Sequence, residues 1–485
     1  DLTDLPKLVP VPVPADVVPG LAPIPVTDRL QNVIAFDPNY ASPYVQNLTL
    51  ALTRNVTRNL TVDVRYIGTL SRKLNGTLNI NQANFLTNGL LEAFNSVRAG
   101  GESALLDEML AGQQLATGSN FGPVGTIVNG VLQTGALHLR SSTMTASAIG
   151  SRTQIRSLLA NGDFAGLANT LNYVGFPAGQ ILRNSGNFPE NFIKANPQFN
   201  NATFMTNSGH SNYHSLQAQV TLRPTAGINF QSTYTWSKNL GLFGAYTDPR
   251  ELGADYTLLP SHRTHAWVIY GNWDLPFGPG KLFAGNTSGI LGRLVEGWQG
   301  SWIVNVTSGE PLSIAAANML YGNGVPDIVG PFDFDSIGTS WENGAAAGNF
   351  FGNRYQTVKD PQCSAIASSL QSYCTLQAVA DSEGQIIFQN PQPGTQGNFG
   401  RNRIFEPMRW NVDMAIAKSI RISEGKGFRI RMDATNILNH PLASGSAAGT
   451  IPTAPNVNIN STSPFGYFAG KVGNRSFQLT ARFEF

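Results

Sequence analysis

Phe477-Gln478-Leu479-Thr480-Ala481-Arg482-Phe483-Glu484-Phe485 trades apolar for polar residues without a slip and ends on an aromatic. Alternation at period two marks a strand with one face in an apolar medium and the other in water. Chain termini usually fray, so a strand patterned to its last atom is one that the sheet needs. A transmembrane β-barrel has that need, because its last strand closes the sheet against the first.

Working back from this strand, eight more segments alternate over about ten residues each. The spacing predicts strands over 44–56 (Leu48, Leu50 and Leu52 against Asn47, Thr49 and Thr53) and, after Thr57-Arg58-Asn59, through Val62, Val64 and Tyr66. Two more are expected over 215–223 and 228–238, joined by Pro224-Thr225-Ala226-Gly227. The remaining four are 265–275, 298–307, 410–422 and 428–437. Short links alternate with long ones, the longest being 75–211 and 309–406. Short turns at one end and long loops at the other is the asymmetry of an outer-membrane barrel, with periplasmic turns and extracellular loops. A secreted all-β protein with long insertions is the rival.

Composition is compatible with this. Charged residues make up 13% of 485, glycine numbers 50, and the net charge is +2. No run approaches the 18 or so apolar residues of a membrane helix. The mean hydropathy of −0.11 does not argue against a barrel, whose strands dilute every apolar residue with a polar one. No Lys/Arg run offers a nucleic-acid footprint. Cys363 and Cys374, with ten residues between them, suit a local disulfide in an oxidising compartment, with two free thiols the alternative. The start, Asp1-Leu2-Thr3-Asp4-Leu5, has neither the basic nor the apolar region of a signal peptide, so the chain reads as mature or as the later part of something longer. An odd count of nine strands, preceded by the Pro-rich stretch 9–25, points to earlier strands outside this sequence. Within 75–211, residues 90–97, 102–115 and 153–171 carry apolar residues at helical spacing, so short helices are expected there.

Several motifs stand in a fixed order. They are Ser42-Pro43-Tyr44-Val45-Gln46, Val64-Arg65-Tyr66-Ile67-Gly68, Ser211-Asn212-Tyr213-His214-Ser215-Leu216-Gln217 and Tyr234-Thr235-Trp236-Ser237-Lys238. Asp274-Leu275-Pro276-Phe277-Gly278, Gly297-Trp298-Gln299, Gly397-Asn398-Phe399-Gly400-Arg401-Asn402 and Asn436-Ile437-Leu438-Asn439-His440-Pro441 follow. The ordered set resembles the C-terminal part of the barrel in Oar-type TonB-dependent receptors, which carry a carboxypeptidase-regulatory-like domain. The resemblance implies a 22-stranded antiparallel barrel with a plugged lumen, of which these would be about strands fourteen to twenty-two. It implies energised uptake, through the TonB complex acting on a plug absent from this chain, of an unidentified ligand captured by extracellular loops. A structural or adhesive surface role for the same fold is the alternative.

No enzyme site emerges. The six histidines are scattered, and Ser261-His262-Arg263-Thr264-His265 lacks a metal-binding partner at ligand spacing. Neither a cofactor nor a resident metal is expected. Asp333-Phe334-Asp335 lacks the rest of a calcium loop. Sequons such as Asn47-Leu48-Thr49 fall on strands and follow from Asn/Thr-rich faces.

Tyr234, Trp236, Trp267, Trp273, Trp298 and Trp302 are candidates for aromatic girdles at the lipid headgroups, with simple strand packing the alternative. Asp63, Arg65, Gln217, Gln219, Arg429, Arg431, Asp433, Arg482 and Glu484 are expected to face the lumen, because charge in lipid is costly. Phe477, Phe483 and Phe485 resemble the signal read by the barrel-assembly machinery.

Overall fold

The computed structural model describes residues 24–485, apart from 145–153, Phe176, Phe243, Thr247, Pro249, Asn323, Asp335, Ser336, 343–346, Glu424 and 445–453. The side chains of Ala245, Ser423 and Glu484 also fall outside the described set. Most of the Pro-rich opening, and Asp335 of the acidic triplet, therefore lie outside the described residues.

Ten strands organise the chain. They are β1 (Gln31–Phe36), β2 (Tyr44–Asn55), β3 (Leu60–Asn79), β4 (Phe199–Thr225), β5 (Ile228–Leu242), β6 (His265–Asp274), β7 (Trp298–Thr307), β8 (Arg409–Ser423), β9 (Lys426–Thr435) and β10 (Ser476–Glu484). From β2 to β10 each strand is hydrogen-bonded to the next in chain order. Every pair along that path is antiparallel. The turns at one end are tight. Thr225 pairs with Ile228 across Ala226 and Gly227, whose φ values of 51° and 82° belong to a two-residue hairpin turn.

Register carries one side-chain row across the sheet. Leu52, Val64, Ala218, Tyr234, Trp267, Val306 and Trp410 are successive cross-strand partners. One residue away, Thr53, Asp63, Gln219, Thr233, Val268, Asn305 and Asn411 form the neighbouring row on the opposite face. One face is thus apolar and the other mainly polar. The apolar face is not covered by protein: Leu50, Leu52 and Leu479 are each more than 70% exposed. An uncovered apolar face of this extent is a lipid-facing surface.

Two features depart from the sequence reading. The segment 75–211 is not loop throughout, because β3 runs on to Asn79 and β4 starts at Phe199, leaving 80–198 between them. Beyond the membrane band neither face meets lipid, so alternation fades although pairing continues. The sheet is also not wholly antiparallel, since β1 pairs parallel with the first residues of β4, Val33 lying beside Ala202. β5 ends opposite His210, which leaves the far part of β4 with a bare edge, and β1 covers it.

The buried core lies in the loops. Helices α1 (Leu90–Arg98), α2 (Ala104–Met109), α3 (Gly135–Ser141), α4 (Ile155–Ala160), α5 (Phe164–Tyr173) and α6 (Gln180–Ser185) pack around Phe94, Leu106, Leu159 and Phe164. Met319, Cys363, Leu370 and Cys374, from the loop between β7 and β8, complete that core. A second core joins Phe332, Phe388 and Phe399 of the same loop to Ile459, Phe465 and Phe468, which lie between β9 and β10. Three long loops therefore interlock into one cap. On the short-turn side, α7 (Gly289–Val295) lies in the link from β6 to β7 and exposes Ile290, Leu291 and Leu294. No described helix is long and apolar enough to cross a membrane.

Candidate functional site

On the polar face, two charge pairs are neutralised within their own strands. The Arg65 guanidinium donates to Asp63 at 2.7 Å, and Thr53 Oγ1 donates to the same carboxylate. Arg431 meets Asp433 at 2.7 Å. Both pairs have i, i+2 spacing, which places them on one face of a strand. Arg429 donates to Gln299 Oε1 at 2.9 Å. Gln217 pairs with Arg65 across the β3–β4 ladder, Gln219 with Asp63, and Arg482 with Arg429 across β9–β10. These residues share one face. The backbone of Glu484 belongs to the same strand, but its side chain lies outside the described residues.

The aromatic candidates all lie on the apolar face, at different heights. Tyr234 and Trp267 share one row, and Trp236 sits one row nearer the long loops. Trp273 and Trp298 lie toward the short turns. Trp302 sits midway, opposite Gly271, where an added Cβ would come within 2.7 Å of its indole. Phe477 pairs with Ala434 and Phe483 with Phe428 on this face, and Phe485 is 94% exposed.

The cap is held by buried polar groups as well as by its apolar core. Cys363 and Cys374 form a disulfide with 5.5 Å between Cα atoms, inside the first core. The buried Asp360 accepts from the backbone N–H groups of Gln362 and Asn390, each at 2.9 Å. Arg29, fully buried, is paired with Glu190 and bonded to Asn172. Lys194 is buried beside the Tyr173 ring, and desolvation together with Arg29 brings its ammonium down to about 8. His138 is buried on α3, its Nδ1 accepting from the N–H groups of Leu115 at 3.0 Å and Ala116 at 3.2 Å. Of these contacts only the disulfide was expected from the sequence; apart from the local Asp360–Gln362 bond, the other partners lie about twenty to more than a hundred residues apart and leave no local pattern.

A polar cleft of about 310 Å³ opens where the cap meets the far end of β3 and β4. Asn79, Asn81, Asn169, Lys194, Asn201 and Tyr321 line it. Asn81 is committed to the backbone of Asn196 and Phe199, so part of this wall is structural. Asn169 Oδ1 is buried without a hydrogen-bond partner among the described residues. Carboxamides that both donate and accept suit a neutral polar ligand.

His262 and His265 stand at the mouth of β6. His262 Nδ1 accepts from the Asn239 N–H at 3.2 Å, and His265 Nδ1 meets the Tyr234 hydroxyl at 2.7 Å. Among the described residues no group of three or more His, Cys, Asp or Glu converges as a metal site would require.

No curated protein matches this sequence. Among solved structures the chain is similar to the outer membrane transporter YddB from Escherichia coli, at 8% identity and a TM-score of 0.34. That match covers 94% of this chain and 34% of the transporter, so the chain spans about a third of its length. The family model described as "Outer membrane beta barrel domain" matches residues 4–478, and the chain with its lipid-facing sheet belongs to that family of the outer membrane.

Proposed function

We propose that this chain is part of an outer-membrane receptor that takes up a ligand caught by its loop cap, with the long loops extracellular and the polar face lining the lumen. The observation that carries the reading is the cap itself. Three long loops share two buried cores, one of them holding a disulfide, over one end of a barrel sheet, whereas a purely structural barrel has no need of so large an ordered surface. The ordered motifs, which resemble those of Oar-type TonB-dependent receptors, add the finer proposal that a plug and the TonB complex energise uptake. The other strands of the barrel would then come from elsewhere in the protein, and the barrel-assembly machinery would insert it through its last strand. An adhesive surface role of the same fold is the second reading, favoured by the size of the cap alone.

The discriminating experiment supplies cells carrying the full-length gene with labelled siderophore, oligosaccharide and peptide mixtures. Uptake of one class is expected, lost both without TonB and on removal of residues 80–198. Uptake of none, with cell attachment that depends on the same residues, would establish the adhesive reading instead.

A further inference from the structure

A cavity of about 450 Å³ lies on the apolar face of the sheet, near its long-loop margin. Of the strand residues that line it, His214, Leu216, Trp236 and Lys238 belong to the outward-facing set, since Leu216 pairs with Trp236 and His214 with Lys238 in the register that carries Tyr234 and Ala218; Ser215 and Ser237 lie between them in the alternate register. Leu258 and Phe405, from the loops, close the cavity from above. The walls are therefore mainly apolar, and one end carries an ammonium and an imidazole.

Height in the membrane gives this arrangement its meaning. From the outward-facing Ile228 to Lys238 is ten residues, or about 33 Å along a strand. At a tilt of about 40° that covers about 25 Å of depth, the height of the apolar band of an outer-membrane barrel. Ile228 then sits at one margin and Lys238 at the other, where headgroups begin. Lys238 and His214 are both exposed, and among the described residues no carboxylate lies within ion-pair distance of Lys238. Tyr66 holds His214 by a 2.6 Å hydrogen bond at Nδ1, and among the described residues no hydrogen-bond partner engages its Nε2. A second stacked pair, Tyr234 with His265, borders the same margin.

We infer that this cavity is a binding site for a phosphorylated glycolipid of the outer leaflet, of the lipid A class. A phosphate rests on Lys238 and His214, and an acyl chain lies along Leu216 and Trp236. The cationic end supplies the charge complementarity, and the apolar walls continue the surface already in contact with lipid. The choice of glycolipid over glycerophospholipid rests on the proposed orientation, in which the long loops face outside.

The test is native mass spectrometry of the full-length protein released from detergent, titrated with hexa-acylated diphosphoryl lipid A, its dephosphorylated form and phosphatidylglycerol. Lipid A adducts are expected, at least tenfold weaker for the dephosphorylated lipid and for the Lys238→Gln/His214→Gln variant. Equal binding of the dephosphorylated lipid, or no loss in the variant, would overturn the site. Preferential retention of phosphatidylglycerol would overturn the choice of lipid. Orientation is read separately, by labelling Ser382→Cys in the cap with a membrane-impermeant maleimide on intact cells. Labelled cells whose protein retains no lipid A would sink the lipid site and leave the receptor reading standing.

Discussion

At the scale of single residues, His138 shows how much of the cap depends on a neutral ring. Its Nδ1 accepts two backbone N–H groups, which a protonated nitrogen could not do. Burial also holds its pKa below the ordinary histidine value. The unfolded chain therefore binds a proton below about pH 6.5 that the folded cap refuses. Stability contributed by this group is present above that pH and is lost as the pH falls toward the folded value. Cap melting followed from pH 7 to pH 5 is expected to drop more steeply in the native chain than in His138→Asn, whose amide oxygen accepts in place of Nδ1 without titrating. Parallel curves would show that another group sets the slope.

At the scale of elements, cross-strand pairs specify the sheet. Gly271 on β6 leaves room for the Trp302 indole on β7, and a Cβ there would also come within 2.5 Å of the Asn229 carbonyl oxygen. Gly271→Leu is expected to cost about 1–3 kcal/mol through overpacking. Heat-modifiability of the assembled barrel on gels measures this, and an unchanged folded fraction would mean that the indole swings away freely. The lipid-crossing parts of these strands were legible in the sequence because one face of each meets an apolar medium. Trp298–Thr307 has the same bounds in the pattern and in the fold. The first half of β4, beginning Phe199-Asn200-Asn201-Ala202, was not legible, because there the sheet leaves the membrane and both faces meet protein or water. β1 stayed hidden for a similar reason: six residues in parallel pairing offer too short a pattern.

At the scale of the whole molecule, β2 and β10 are the two edges of the sheet path, and no described strand pairs with the outer side of either. Such edges are sites of association unless paired. Deleting Phe485 is expected to lower the amount of full-length protein inserted in the outer membrane, read by fractionation and heat-modifiability; unchanged levels would limit Phe477, Phe483 and Phe485 to contact with lipid. The helical faces of the cap could be found from spacing, as at Leu105, Leu106, Met109 and Leu110. That the cap is one body could not, because Cys363 comes into one core with Leu159, and Phe465 meets Phe388, only after the chain has folded.

That shared interior constrains how the protein can diversify. Where loops stand separately, one can be lengthened, shortened or exchanged with a relative's while the others keep their shape. Here a graft of residues 80–198 alone would leave Met319, Cys363 and Leu370 without the surface they were shaped against. Change is therefore channelled into point substitutions on the outer rim of the cap, or into coordinated replacement of all three loops, and natural variants should differ in patches that cross loop boundaries.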